Sequence, residues 1–277
     1  MSTSVQAHGA PSQTQLLATK RAVIFGASGA VGTAVANEFA AQGASVYLAG
    51  HRLAAVEPLA ATIQRTGGTA QAAEVNALDE AAVTAYLDRI VAEAGGLDVA
   101  LNVMGPRPDE YSNGRDTLDL PLEHFMVPLT SLVASQFITA RAAARHMAKQ
   151  HTGVILFITA VPSRGMANVS AIGSAFGAME SLARCLAVDL GPAGVRVVGI
   201  RSGAMVDTAT IQWSLERVSR AMSLPKEQAV ARLEQLTLLK RLPVAADTAR
   251  VAAFLASDAA RTITGAIINA SSGGVLD

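Results

Sequence analysis

Gly26-Ala-Ser28-Gly29-Ala-Val31-Gly32 follows an apolar run at 21–25 and opens a stretch of helical pattern. Three glycines at this spacing suit a tight turn whose backbone comes close to a bound group and whose helix packs hard on the preceding strand. The helix start adds unpaired N–H groups and the positive end of its dipole, so the chemistry on offer is the binding of a pyrophosphate. A dinucleotide site lined by Gly26, Ser28, Gly29, Val31 and Gly32 is expected; a merely structural turn is the plainer alternative. At the end of the next apolar run a carboxylate would grip a ribose hydroxyl of NAD, but Gly50-His51-Arg52 stands there. A guanidinium pairs well with a 2′-phosphate, and no acid repels it, so His51 and Arg52 favour NADP(H) over NAD(H). The alternative for Arg52 is a solvated first-turn residue. Asn76, after the third run, suits the adenine edge or simple turn chemistry.

Other polar candidates are sparser. Thr159 closes a buried apolar run, where open α/β sheets present ligands, and suits a substrate oxygen or a strand-end hydroxyl bonded to backbone. Ser170 reads as a helix N-cap, and Thr208 as a phosphate contact or a cap. His124 and His146 are of the residue type that titrates near neutral pH. The five histidines show no ligand spacing with carboxylates or with Cys185, so no metal is expected.

These residues need elements to hold them. Apolar runs at 21–25, 45–49, 70–75, 97–103, 154–159, 195–201 and 263–269 read as strands. Between them, 30–42, 53–65, 79–94, 123–150, 170–190 and 246–257 read as helices. Strands apolar on both faces and joined by helical crossovers predict an α/β, doubly wound parallel sheet of about seven strands. The segment 208–242 breaks the alternation with charged helical sequence around Trp213, as a lid or substrate segment would, and Asp207, Glu216 and Glu234 are acids it could bring inward. Residues 1–19 read as a flexible tail and 20–277 as one domain.

Composition limits the rest. The chain has 277 residues, 51% hydrophobic and 16% charged, with 22 basic and 22 acidic side chains. That balance argues against nucleic-acid binding and against disorder. No run reaches the ~20 apolar residues of a membrane span. The single cysteine makes a cytoplasmic protein the default.

With Leu97-Asp-Val-Ala-Leu-Asn102-Val-Met-Gly105, Leu190-Gly-Pro-Ala-Gly194-Val-Arg-Val197, Phe254-Leu-Ala-Ser-Asp258 and Thr264-Gly265 added to the glycine turn, the chain resembles the short-chain dehydrogenase/reductase family from about Lys20 onward. The resemblance implies cofactor contacts at Asn102, Gly105 and Gly203, the last in a loop where Ser202 replaces the family's proline and predicts greater mobility. It also implies a Ser-Tyr-Lys site with a helper Asn, in which the ammonium lowers the phenol's pKa and the phenol gives the proton. Here those positions fall on Ala160 (or Thr159), Ile172, Phe176 and Leu132. A positioned acid contributes about 10²–10⁴-fold, and neither Ile nor Phe carries a proton to give. The expectation is an atypical NADP-dependent oxidoreductase acting on a small molecule with an imine or an activated C=C or C=O. An inactive NADP(H)-binding sensor or partner subunit, or a non-redox lyase or isomerase, are the alternatives. The resemblance further implies a homodimer or homotetramer.

Overall fold

The computed structural model describes residues 15–277. Seven strands, β1 (Arg21–Phe25), β2 (Ser45–Gly50), β3 (Thr69–Glu74), β4 (Val99–Asn102), β5 (Gly153–Ala160), β6 (Val195–Ser202) and β7 (Ile267–Ala270), form one parallel sheet in the order β3-β2-β1-β4-β5-β6-β7. The helices are α1 (Ala30–Ala41), α2 (Leu53–Arg65), α3 (Glu80–Ala94), α4 (Leu122–Pro128), α5 (Ala134–Gln150), α6 (Ser170–Leu190), α7 (Ala209–Met222), α8 (Lys226–Leu236) and α9 (Ala245–Ala256). This is the expected doubly wound, Rossmann-like fold.

The strands read as unbroken apolar runs because both sheet faces are covered. Successive residues of β1 serve opposite cores: Val23 and Phe25 join the cluster under α3, α5 and α6, while Ala22 and Ile24 join the one under α1, α2 and α9. The strand order reverses between β1 and β4, all strands staying parallel, so the C-terminal ends of these two strands frame the crevice where such sheets bind ligands.

Four expectations are corrected. Residues 1–14 of the expected tail lie outside the described residues, but Leu17 is fully buried and its N–H donates to Gln42 O at 2.9 Å, so the domain begins before Lys20. The helix expected over 123–150 is interrupted, since Pro128 lacks an N–H and the chain passes through a π turn over Leu129–Val133 before α5 begins. The last strand starts at Ile267 rather than 263, after Gly265 turns the backbone with φ 68°. Finally, α6 has the length and apolarity of a membrane-crossing helix. Its Ala171, Ala175, Met179 and Ala183 are buried in the core beside the sheet, and the small alanines among them let it lie close to β5 and β6.

Candidate functional site

The turn between β1 and α1 leaves no room for side chains where a ligand backbone would approach. Gly26 holds φ 76°, and a Cβ there would stand 2.6 Å from Met104 N. A Cβ on Gly32 would collide with Gly26 O and Ala27 Cα. Thr33 Oγ1 donates to Ala27 O at 3.1 Å and fixes the loop. Gly29 caps α1 without any side-chain hydrogen bond, so the N–H groups of the first turn face outward beside exposed Ser28. Free donors at a helix start, with the backbone bare around them, fit a pyrophosphate.

The far end of this groove is polar in a way the sequence reading missed. Arg52 is exposed at the N-cap of α2, next to exposed His51, but the amide of Leu53 donates to Glu74 Oε2 at 3.0 Å. A carboxylate from β3 therefore caps α2. Asn76 is exposed, and its Oδ1 accepts from Leu78 N at 3.0 Å in an Asx turn.

At β4 the side chain of Asn102 turns inward rather than to the crevice. Its Nδ2 donates to Ser135 Oγ at 3.1 Å, and its Oδ1 accepts from Met104 N at 2.9 Å. Gln136 Nε2 donates to Asn102 O at 2.5 Å. Asn102 thus shapes the loop carrying exposed Gly105, whose Cβ position lies 3.7 Å from Leu132 in the π turn. Leu132 and Ile172 are buried in one apolar cluster, and Phe176, one turn along α6 from Ile172, packs against it. Ala160 ends β5 half-buried beside them.

The ends of β5 and β6 hold a buried ion cluster. Arg201 is 1% exposed, and its guanidinium grips Glu180 of α6 with two parallel bonds, Nε to Oε1 at 2.9 Å and Nη2 to Oε2 at 2.8 Å. Thr159 (3.0 Å) and Ser163 (2.6 Å) also donate to Oε1, and Asp277 accepts from Arg201 Nη1. Burial alone would raise the Glu180 carboxyl, but the bonds from Arg201, Ser163 and Thr159 outweigh it and hold the group below the usual carboxylate range. The hydroxyl of Thr159 is thus engaged with this carboxylate. Ser202, expected in a loose loop, is buried with its Oγ donating to Thr159 O at 3.1 Å. Gly203 is pinned behind it, since a Cβ would lie 3.0 Å from Ser271 O.

Past Gly203, Thr208 caps α7 by accepting from Ile211 N at 3.4 Å and donates to Met205 O at 2.8 Å. Asp207 caps α9 through Ala245 N at 2.9 Å, so it is not a free acid. From α7, Arg217 lies over the Trp213 ring and donates to the carbonyls of Asn113 and Gly114, clasping α7 to the loop after β4.

Residues 26–274 match the sequence profile described as enoyl-(acyl carrier protein) reductase. The chain belongs to the short-chain dehydrogenase/reductase family. Within this family of oxidoreductases it is 30% identical over 259 residues to the 7alpha-hydroxysteroid dehydrogenase of Escherichia coli, covering 93% of this chain and 95% of that one. It is also 30% identical over 256 residues to 2-(R)-hydroxypropyl-CoM dehydrogenase of Xanthobacter autotrophicus, covering 89% and 95%. A solved 7 alpha-hydroxysteroid dehydrogenase, complexed with NADH and 7-oxo glycochenodeoxycholic acid, superposes with a TM-score of 0.82 at 29% identity over 95% of this chain and 97% of that one.

The sequence reading passed over Glu180 and Arg201 although a signal was present. A buried charge near the end of a mostly apolar strand and another in a mostly apolar helix must be paired. It mentioned His124 only as a titrating residue, and Ser112, whose Oγ lies 2.7 Å from His124 Nδ1, has no signature at the sequence level.

Proposed function

We propose that this short-chain dehydrogenase/reductase is an NADP(H)-dependent reductase of small molecules with an activated C=O, C=C or C=N bond, working without the family's Tyr–Lys pair. One observation carries the reading. Ile172, Phe176 and Leu132, in the positions that the resemblance assigns to Tyr, Lys and Asn, share one apolar cluster, while the phosphate turn beside them keeps its three glycines and open helix start. When bound, the dinucleotide supplies or accepts a hydride. The chain supplies the rest: Gly26, Ser28, Gly29, Val31 and Gly32 bind the pyrophosphate, Gly105 and Gly203 flank the nicotinamide half, and the apolar cluster excludes water from the reacting carbon. Exposed Arg52, with His51, supports NADP(H), although Glu74 must yield the Leu53 amide to a 2′-phosphate. Asn76 offers its amide to the adenine edge, Asn102 sets the loop after β4, and Thr208 holds the start of the lid.

The described residues 15–277 act as one domain in this reading, with 208–242 as its lid, clasped through Arg217. Family membership further supports a cytoplasmic homodimer or homotetramer. The test is NADPH oxidation over a panel of cyclohexanone, cyclohexenone and pyrroline, alongside NADPH binding by calorimetry. Turnover with at least one compound is expected. Tight binding with no turnover would leave a cofactor-binding sensor, and no dinucleotide binding at all would leave non-redox chemistry.

A further inference from the structure

If Ile172 has no proton to give, another group facing the same space must give it. Between the loop after β4 and the start of α6 lies a shallow surface depression lined by Tyr111, Ser112, Asn113, Ser170 and Ile172 among others. Three of these carry hydroxyls. Ser170 is engaged with Thr117 at 2.5 Å, oxygen to oxygen. Burial pushes the Tyr111 phenol up, and no cation counters it, so it is a poor acid. Ser112 differs, because its Oγ lies 2.7 Å from Nδ1 of His124 on α4 and an imidazole exchanges protons near neutral pH. Ser112 also holds φ 50°, a left-handed backbone that L residues rarely adopt. Beside it the side-chain oxygen of Asn113 is buried with no hydrogen-bond partner among the described residues.

Resting on the reading above, we propose that Ser112 and His124 form the proton relay of this reductase for a carbonyl substrate. The substrate carbon accepts a hydride from the reduced nicotinamide dinucleotide, and the C=O π pair moves to oxygen. That oxygen takes the Ser112 Oγ proton, the His124 Nδ1–H bond breaks as a new Oγ–H bond forms, and water restores the imidazolium. Ser112 touches the substrate, and His124 is a positioning residue acting through it. The charged groups on the surrounding elements are Glu123 on α4, Arg115, Asp116 and Asp119 on the loop, and Arg217 reaching across from α7. On that loop Arg107 pairs with Asp109 and Glu110. The π turn carries no ionisable side chain, and α6 carries none before Glu180.

The experiment uses the full chain, NADPH and the carbonyl compound of the panel that the wild type reduces fastest. Ser112→Ala and His124→Ala are each expected to lower kcat by about 10²–10⁴-fold, with NADPH affinity unchanged. The wild-type rate should fall as rising pH deprotonates the imidazole, and His124→Ala should lose that limb. Added imidazole should restore part of the His124→Ala rate and none of the Ser112→Ala rate, which a structural role would not produce. Independently of turnover, the ring ¹³C–¹H signal of His124 should titrate at a different pH in Ser112→Ala. Unchanged kcat in either variant, or an unmoved His124 titration, overturns the relay while the reductase reading stands. A wild type that reduces no carbonyl on the panel overturns the relay, and one that oxidises NADPH with no compound overturns the reductase reading as well.

Discussion

The two halves of the sheet spend their polar groups in opposite ways. At β1 and α1 the donors of the helix start are left without partners and no side chain stands in front of them. At β5 and β6, Thr159, Ser163, Glu180, Arg201 and Asp277 satisfy one another, and the neighbouring side chains Ile172, Leu132 and Phe176 are apolar. In the first half the donors of the helix start have no side-chain cap. The second is closed on itself and holds the ends of β5 and β6 to α6. Polar residues at the C-terminal end of a strand are therefore no guide to chemistry until their partners are known.

The contrast breaks most sharply at Gly26. Gly26→Val forces a branched side chain against Met104 N at a positive φ, so NADPH binding should disappear in calorimetry. Retained affinity would mean that the turn is structural only. On the closed side, Glu180→Ala strands a buried guanidinium, which costs about 3–5 kcal/mol when one partner of such a pair is removed, read from urea unfolding. Replacing Glu180 and Arg201 together by methionine should recover most of that loss.

This effect has a pH signature. The folded Glu180 carboxyl ionises below its ordinary range, so its contribution is complete above the titration of the unfolded group. It fades as the pH falls through the lower folded value. The stability gap between the wild type and Glu180→Gln should accordingly be widest near neutrality and narrow in acid; a gap that does not change with pH would show that the charge is not what stabilises the cluster.

A smaller effect tests whether the apolar site is what separates this chain from its family's mechanism. Ile172→Tyr with Phe176→Lys should raise the rate with cyclohexanone by about 10²-fold, the lower end of what a positioned acid contributes. An unchanged rate in a folded variant would sever that link. The mildest change belongs to the open side. Arg52→Ala should weaken NADPH about tenfold, the scale of one charge-assisted contact, with NADH unaffected, and Glu74→Gln should strengthen NADPH a few-fold. If NADH binds the wild type more tightly than NADPH, Glu74 and not Arg52 sets the preference.

Much of this was legible before any coordinates. The glycine turn, the alternation of strands and helices and the bounds of α2 and α6 follow from local pattern, because backbone conformation and periodicity are written in neighbouring residues. The apolar character of the positions that the resemblance assigns to Tyr and Lys was also legible, since Ile172 and Phe176 sit in a helix whose bounds match the expected 170–190. The partner of Thr159 was not legible because it lies 21 residues away on α6, and Glu74 was missed because it reaches across from the next strand. The break before α5 needed Pro128 to be weighed against a strong helical period.

The sequence by itself determined a doubly wound sheet, a turn with three glycines between β1 and α1, and apolar residues at Leu132, Ile172 and Phe176, all consequences of residue type and short-range spacing. Only the tertiary structure decided which polar groups are spent and which remain available: that Arg201 belongs to Glu180, that Arg217 clasps α7 to the loop after β4, and that Ser112 meets His124. Hydrogen bonds and ion pairs form between groups that the fold brings within about 3 Å, and sequence separation carries no information about that distance.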